Sequence, residues 1–252
     1  MKRDPSKSRY LTDFLFFTVL FAATSVLLFG AAAGIARTSA ARVTEDAEGQ
    51  PRPVIVIDPG HGGEDGGASG VDGTAEKDLN LTVAKAVAEI LTAAGYDVRL
   101  TRTEDRLLYD LYGDLTDYTG HKKTYDLRNR LRFSKEAGAS LLVSIHMNKF
   151  SDPQYGGLQV YYSAARPESQ TVASTVQNYA KLYLQKDNGR QIKKATSSIY
   201  LLARSETPAI LIECGFLSNE EELSRLTDPL YQKQLAMTVA CAIAESRAGI
   251  AS

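Results

Sequence analysis

The chain has 252 residues, of which 44% are hydrophobic, and its formal net charge is −1 at neutral pH. A chain of this size buries one large core, so a single folded domain is the simplest interpretation. The balanced charge and the lack of a long basic run argue against a nucleic-acid partner, because binding to phosphates needs clustered Lys and Arg. The two cysteines, Cys214 and Cys241, lack the spacing of a cysteine-based zinc module or a dense disulfide framework.

The N-terminal segment has the pattern of a membrane anchor. Residues 14–36 carry no charged side chain and are long enough to span a bilayer, and the Lys and Arg residues in 1–13 predict a cytoplasmic N-terminus. A cleaved signal peptide ending at Ser39-Ala40-Ala41 is the alternative, but its apolar core normally has only about 7–15 residues. We therefore expect a single-pass anchor in the cell membrane, a polar linker at residues 37–53, and a folded domain at 54–252 outside the cytoplasm.

Strand and helix patterns alternate through residues 54–252. Strands are predicted at Val54–Ile57, Tyr96–Thr101, Leu141–Ile145, Leu158–Tyr162 and Ala209–Ile212. Helices are predicted from Asp78 to Gly95, from about Tyr125 to Gly138, from about Glu168 to Lys186, and twice after Asn219. This alternation predicts an α/β sandwich with a central, mostly parallel sheet.

Four polar residues lie at the ends of these predicted elements, where open α/β sheets bind their ligands. His61 follows the first strand, Glu76 opens the first helix, and His146 and Glu213 end two later strands. Two imidazoles and one carboxylate match the ligand set of a catalytic zinc ion, and a further carboxylate can act as the general acid–base group. From residue types alone, side chains that only form hydrogen bonds at helix starts explain the pattern equally well.

These four residues belong to four ordered segments: Val56–Gly63, Glu76–Leu81, Ser144–Asn148 and Glu213–Asn219. The segments resemble the motifs of the zinc-dependent N-acetylmuramoyl-L-alanine amidases, the amidase type 3 family, and the similarity covers about Val54 to Ala244. The resemblance implies that His61, Glu76 and His146 bind Zn²⁺ and that Glu213 is the catalytic carboxylate. It also implies a single domain whose six-stranded, mostly parallel sheet is flanked by helices, a phosphorylase/hydrolase-like arrangement.

The resemblance implies a peptidoglycan substrate, cleaved at the amide bond between the lactyl group of N-acetylmuramic acid and L-alanine. A zinc peptidase acting on stem peptides is an alternative, because the same metal chemistry hydrolyses any amide. A non-catalytic module that binds the cell wall is another. Asn148, two residues beyond His146, and Arg204, which precedes the last strand, are candidates for substrate binding. Cys214 departs from the family motif, and strand alternation predicts that it packs in the core.

Two stretches, Leu107–Arg132 and His146–Tyr162, resemble the germination-specific, spore-cortex amidases of this family. They predict a role in the cortex as a step toward muramic δ-lactam, with a general vegetative cell-wall amidase as the alternative. The eight residues Lys149–Gly156 are too few for the helical insertion that can cover the zinc in division amidases, so we expect an open cleft. A regulatory lipoprotein or another protein partner is left open by the sequence.

Overall fold

A computed structural model describes residues 52–251 of the chain. Its strands are β1 (Val54–Pro59), β2 (Asp97–Leu100), β3 (Ala139–Asn148), β4 (Gln159–Tyr162), β5 (Lys193–Lys194) and β6 (Ala209–Phe216). Its helices are α1 (Glu76–Ala93), α2 (Lys122–Glu136), α3 (Pro167–Tyr179), α4 (Tyr200–Arg204), α5 (Glu220–Thr227) and α6 (Pro229–Ala251). The predicted anchor at residues 14–36 lies outside this range. No helix within it is both long and apolar enough to cross a membrane.

The six strands form one sheet in the order β2-β1-β3-β6-β4-β5. Parallel pairs join β2 to β1, β1 to β3, and β3 to β6, whereas β4 runs antiparallel to β6 and carries β5 as a parallel edge strand. The predicted α/β architecture with a six-stranded, mostly parallel sheet is therefore confirmed. The carboxyl ends of β1, β3 and β6 meet at one edge of the sheet, which is where such folds bind ligands.

The two faces of the sheet are covered unequally. One face packs against α1, α3 and α6 and forms the larger apolar core, which includes Ile55, Ile57 and Cys214. The other face has a smaller core around Val56 and Leu211, covered by α2 and α4. Alternation along β6 therefore turns Glu213 toward the second face, next to Leu211 and away from Cys214. Cys214 is fully buried and unpaired, so its predicted core packing is confirmed.

Two short elements and one helix end differ from the sequence prediction. The helix expected to run from about Glu168 to Lys186 is α-helical only to Tyr179, after which Ala180–Leu184 forms a π-helix. Strand β5 consists of two exposed lysines and has no apolar pattern to mark it. Helix α4 has five residues, which is too short for a helical period to show in the sequence.

Candidate active site

The structure brings three of the predicted residues into one cluster at the carboxyl edge of the sheet. One side-chain donor atom from each of His61, Glu76 and His146 lies within 4.8 Å of the other two. Glu76 Oε1 is 2.8 Å from His146 Nδ1 and 3.3 Å from His61 Nε2. The imidazole rings meet edge to face, with their centroids 4.9 Å apart. This convergence of two imidazoles and one carboxylate is suited to a metal ion of the zinc type.

Glu76 is held in place by hydrogen bonds from three directions. Its Oε2 accepts from the backbone N–H of Ala68 at 2.7 Å, and its Oε1 accepts from the backbone N–H of Met147 at 3.1 Å. Asn80, one turn further along α1, donates to Oε1 at 3.3 Å. Burial by itself raises the pKa of Glu76, but hydrogen bonds and positive charge from His146 and His61 hold that pKa well below its usual range. The carboxylate is therefore ionised and fixed at neutral pH.

The turn that carries His61 has an unusual backbone. Among the described residues, His61 is the one non-glycine residue with a positive φ, at 61°. Such a conformation is strained for a residue with a Cβ and is found mainly where the surroundings impose it, often at functional sites. The Nδ1 of His61 lies 2.9 Å from Asp65 Oδ2, within charge-pairing distance but poorly aligned for a hydrogen bond. A carboxylate on the far ring nitrogen is the usual device that orients a metal-binding histidine.

Two buried arginines impose this turn by binding its carbonyl groups. Arg130 donates to the carbonyls of Pro59 at 2.8 Å and His61 at 2.7 Å. Arg102 donates to the carbonyls of Pro59 and Gly60, each at 2.9 Å. Three consecutive carbonyl groups are thereby fixed, and the His61 side chain is directed toward Glu76. Motif reasoning did not assign this supporting role to either arginine, because neither lies in the segments that contain the candidate ligands.

The charge of Arg130 is balanced by two buried carboxylates. Its guanidinium contacts Asp58 Oδ1 at 2.7 Å and Asp126 Oδ2 at 2.8 Å. Asp58 also accepts hydrogen bonds from Thr101 at 2.6 Å and Ser144 at 2.7 Å, which links β1 to β3. Burial by itself raises the pKa of Asp58, but the Arg130 charge and these hydrogen bonds hold the pKa below its usual value. The network is thus a fully paired ionic cluster beneath the His61 turn.

Replacing Arg130 with methionine should lower the free energy of unfolding by about 3–5 kcal/mol, because it leaves two buried carboxylates, Asp58 and Asp126, without their cation. Arg132→Met on the same helix is the matched control, since Arg132 pairs with Glu136 at the exposed surface, where ion pairs contribute little. Denaturant unfolding at neutral pH measures the stability of both variants.

The stabilisation by Asp58 should depend on pH. Because the pKa of Asp58 is lower in the folded state than in the unfolded state, its contribution to stability is present above about pH 4 and is lost below it. The difference in the free energy of unfolding between the wild type and Arg130→Met should therefore become smaller in acid. Equal losses of stability in Arg130→Met and Arg132→Met at neutral pH would contradict this role of Arg130.

Glu213 faces the three-residue cluster from the neighbouring strand. It lies directly opposite His146 in the register between β3 and β6. Its Oε2 atom is buried and has no hydrogen-bond partner among the residues that the structure describes. Burial is the largest cause that raises the pKa of Glu213, and it outweighs the opposing effect of the nearby His146. A carboxyl group with a raised pKa beside a metal site is suited to accept and return a proton near neutral pH.

Two glycines leave the space that the cluster needs. A Cβ at Gly60 would overlap the imidazole of His146, and a Cβ at Gly67 would lie 2.5 Å from Glu76 Oε2. Gly67 also has a φ of +70°, which a residue with a side chain rarely adopts. Gly66, in the same turn, has no atom of the described residues within 4 Å of the position of an added Cβ. Gly60 and Gly67 are therefore required for packing around the candidate ligands, and Gly66 is not.

Gly60→Ala should weaken zinc binding by about 10- to 100-fold, the usual effect of disturbing the groups that support a metal ligand. Gly66→Ala should leave the affinity unchanged. Titration against a chelating dye measures both dissociation constants. The same affinity for the two variants would show that the His146 ring does not need the space above Gly60.

The two predicted substrate-binding residues have different positions. Asn148 ends β3 close to the cluster, but the register shifts between His146 and Asn148, so simple alternation does not fix the direction of its side chain. The structure does not bring Arg204 to the cluster. It is exposed, its guanidinium lies 4.6 Å from the ring centroid of Tyr200, and it precedes β6 at the amino end of that strand. Glu213 lies toward the carboxyl end of β6.

Comparison with known proteins identifies the family to which this chain is similar. The family model described as N-acetylmuramoyl-L-alanine amidase (Amidase_3) matches residues 55–245. The germination-specific N-acetylmuramoyl-L-alanine amidase of Bacillus subtilis is 36% identical over 186 residues, which cover 74% of this chain and 76% of that protein. The CwlD amidase of Clostridioides difficile, solved in complex with the GerS lipoprotein, matches with a TM-score of 0.72 at 36% identity, over 78% of this chain and 99% of that chain.

A further solved structure, the amidase AmiC2 of Nostoc punctiforme, matches with a TM-score of 0.65 at 32% identity, over 78% of this chain and 97% of that one. The family model spans every candidate residue of the site, from His61 to Glu213. The chain therefore belongs to the N-acetylmuramoyl-L-alanine amidase family.

Proposed function

We propose that this chain is a zinc-dependent enzyme that hydrolyses the amide bond between the lactyl group of N-acetylmuramic acid and L-alanine in peptidoglycan. The observation that carries the proposal is the position of Glu213. Its buried carboxylate lies opposite His146 and faces a cluster of two imidazoles and one carboxylate. A module that only binds the cell wall has no need of a second carboxylate, buried beside the cluster.

His61, Glu76 and His146 would hold the zinc ion. Their donor set is the two-histidine, one-carboxylate set of catalytic zinc sites, and Glu76 is already ionised. Asp65 beside His61 and the backbone donors to Glu76 orient the ligands in advance. When bound, zinc supplies a Lewis acid that polarises an amide carbonyl and lowers the pKa of water.

Glu213 would carry the proton through the reaction. Its carboxylate takes a proton from the attacking water as the new C–O bond forms. It then gives that proton to the nitrogen of L-alanine as the C–N bond breaks, so the products are a free lactyl carboxyl group and a peptide with an amino terminus. Burial raises the pKa of Glu213, which makes the protonated form easier to reach before the proton is given to the nitrogen.

The site is open enough for a polymeric substrate. The connection from Asn148 to β4 contains no helix, as the sequence predicted. The side chains of His61 and His146 are 19% and 18% exposed. Within the described part of the chain, both imidazoles are therefore accessible to a glycan strand with its stem peptide.

Mass spectrometry of purified peptidoglycan treated with the zinc-loaded protein tests this activity. The proposed reaction frees peptides that begin with L-alanine and leaves the lactyl ether on the glycan. Cleavage within the stem peptide would instead identify a zinc peptidase, and muropeptides that stay intact but still bind the protein would identify a binding module.

We further propose that the substrate is the spore cortex and that residues 14–36 hold the enzyme on the outer face of a membrane. The cortex role is supported by the 36% identity to a germination-specific relative, and the anchor by the apolar run after a basic segment. The complex of the Clostridioides difficile relative with a lipoprotein supports a lipoprotein partner here.

Deletion of the gene from a spore-forming host should give cortex without muramic δ-lactam. Normal δ-lactam with chained vegetative cells would favour a general cell-wall amidase.

A further inference from the structure

Arg190 lies beside the active site on the loop that leads into β5, and its guanidinium is held rigidly. Its Nε donates to the carbonyl of Gly156 at 2.6 Å, and its Nη1 donates to Gln159 Oε1 at 2.9 Å. The guanidinium stacks over the ring of Phe216, 4.4 Å from the centroid. An arginine fixed by two hydrogen bonds and an aromatic face loses little further entropy when it binds a ligand.

Gln159 shows on which side of the sheet this guanidinium lies. Gln159 is directly opposite Glu213 in the antiparallel register of β4 and β6. Residues opposite each other in such a pair point to the same face, with their Cβ atoms about 4.5–5.5 Å apart. Because Arg190 binds the side chain of Gln159, it lies on the face that carries Glu213, one side chain further from the cluster.

The surroundings of Tyr161 also indicate that Arg190 lies near Glu213. Burial raises the pKa of Tyr161, the negative charge of Glu213 raises it further, and the positive charge of Arg190 lowers it. The phenol is therefore within electrostatic reach of both groups. Lys193, its register partner on β5, is exposed on the same face and adds a second cation along this edge.

One nitrogen of this guanidinium is available for a ligand. The Nη2 of Arg190 has no hydrogen-bond or ion-pair partner among the residues that the structure describes, whereas its other two nitrogens are occupied. Arg190 also has no carboxylate partner within that part of the chain, unlike Arg130, whose charge is balanced by Asp58 and Asp126. A half-buried, oriented cation with a free donor beside an active site is typical of a subsite for an anionic group.

We propose that Arg190 binds a carboxylate of the stem peptide, on the leaving-group side of the scissile amide, and thereby gives the enzyme a preference for acidic stems. The inference rests on the proposed function, since the stem peptide is the leaving group of that reaction. One residue of extended chain spans about 3.3–3.6 Å, so a carboxylate on the residue after L-alanine lies about 7 Å from the cleaved bond. Adjacent strands are about 4.8 Å apart, and one side chain of β4, Gln159, connects the Arg190 guanidinium to the position opposite Glu213. This short connection is compatible with a carboxylate that lies one residue beyond L-alanine.

Binding of the released peptide tests the proposal without turnover. The probes are L-alanyl-D-glutamate and its neutral diamide, titrated into the full-length, zinc-loaded protein by NMR or calorimetry. The wild type should bind the acid about 10- to 100-fold more tightly than the diamide, because a charge-assisted hydrogen bond is lost with the amide. Arg190→Gln should remove this preference by weakening only the binding of the acid, and Arg190→Lys should restore part of it.

Arg166→Gln is the matched control. Arg166 also donates through Nε to a backbone carbonyl, that of Glu206, but at the amino end of β6. The Arg166→Gln variant should leave the ratio of the affinities for the acid and the diamide unchanged. A purely structural role for Arg190 would lower both affinities together and keep their ratio, and this result would overturn the proposal, as would equal affinities in the wild type.

The preference for the acidic stem can also be measured in turnover. The kcat/KM for N-acetylmuramoyl-L-alanyl-D-glutamate relative to that for its diamide should fall to about one in Arg190→Gln. If the wild type binds the acidic dipeptide selectively but cleaves no lactyl amide, the Arg190 subsite stands and the proposed function fails. If it cleaves both substrates with equal kcat/KM, the proposed function stands and the subsite fails.

Discussion

Replacing Glu213 with glutamine should lower kcat by about 10²- to 10⁴-fold, the usual contribution of a positioned acid–base group. Glutamine has nearly the same shape but cannot accept and return a proton. Because Glu213 makes no hydrogen bond through its buried Oε2, its loss leaves no partner unsatisfied in the described part of the chain. Fold and zinc content should therefore stay at the wild-type level. Steady-state kinetics and elemental analysis on the same preparation measure both quantities.

The outcome for Glu213→Gln separates two roles of this carboxyl group, proton carrier and zinc ligand. A wild-type rate with full zinc content would mean that the proton is carried elsewhere. A loss of zinc together with activity would instead make Glu213 a fourth ligand.

Replacing Glu76 with alanine should remove zinc and activity together, because the substitution deletes the anionic member of the cluster. The carboxylate also accepts hydrogen bonds from Ala68, Met147 and Asn80, so the turn before α1 should loosen as well. We expect less than about a tenth of the wild-type zinc content after dialysis, since ligand loss affects affinity more than the 10- to 100-fold effect of a supporting group. Elemental analysis of the dialysed protein provides the measurement.

Glu64→Ala is the control for this substitution. Glu64 lies in the same turn as the cluster but pairs with Lys122 at the exposed surface. Its variant should keep both zinc and activity. Full zinc occupancy in Glu76→Ala would remove Glu76 from the ligand set.

Much of the fold and the core of the site follow from local patterns in the sequence. Buried β-branched runs mark the central strands, and the carboxyl ends of parallel strands share one edge of the sheet. His146 and Glu213 end two such runs, so a parallel arrangement places both at that edge, and the pairing of β3 with β6 in the structure makes them neighbours. The roles of individual residues came only from the resemblance to a family, since residue types alone left hydrogen bonding as an equal explanation.

The supporting residues could not be found in this way, because they act over long separations in the chain. Arg130 and Asp58 are 72 residues apart, and Arg190 and Gln159 are 31 residues apart. Neither pair leaves a periodic pattern or a local motif. The prediction for Arg204 rested on its nearness in sequence to β6, which does not by itself mean nearness to Glu213. A strand that starts at one edge of the sheet carries its catalytic group toward the other.

X-ray diffraction from zinc-loaded crystals, recorded on both sides of the zinc absorption edge, locates the metal ion and its ligands. We expect one anomalous peak about 2.0–2.2 Å from a nitrogen of His61, a nitrogen of His146 and a carboxylate oxygen of Glu76. Glu213 should face this peak without being one of its ligands. A peak held by other residues, or none between the two histidines, would contradict this ligand set.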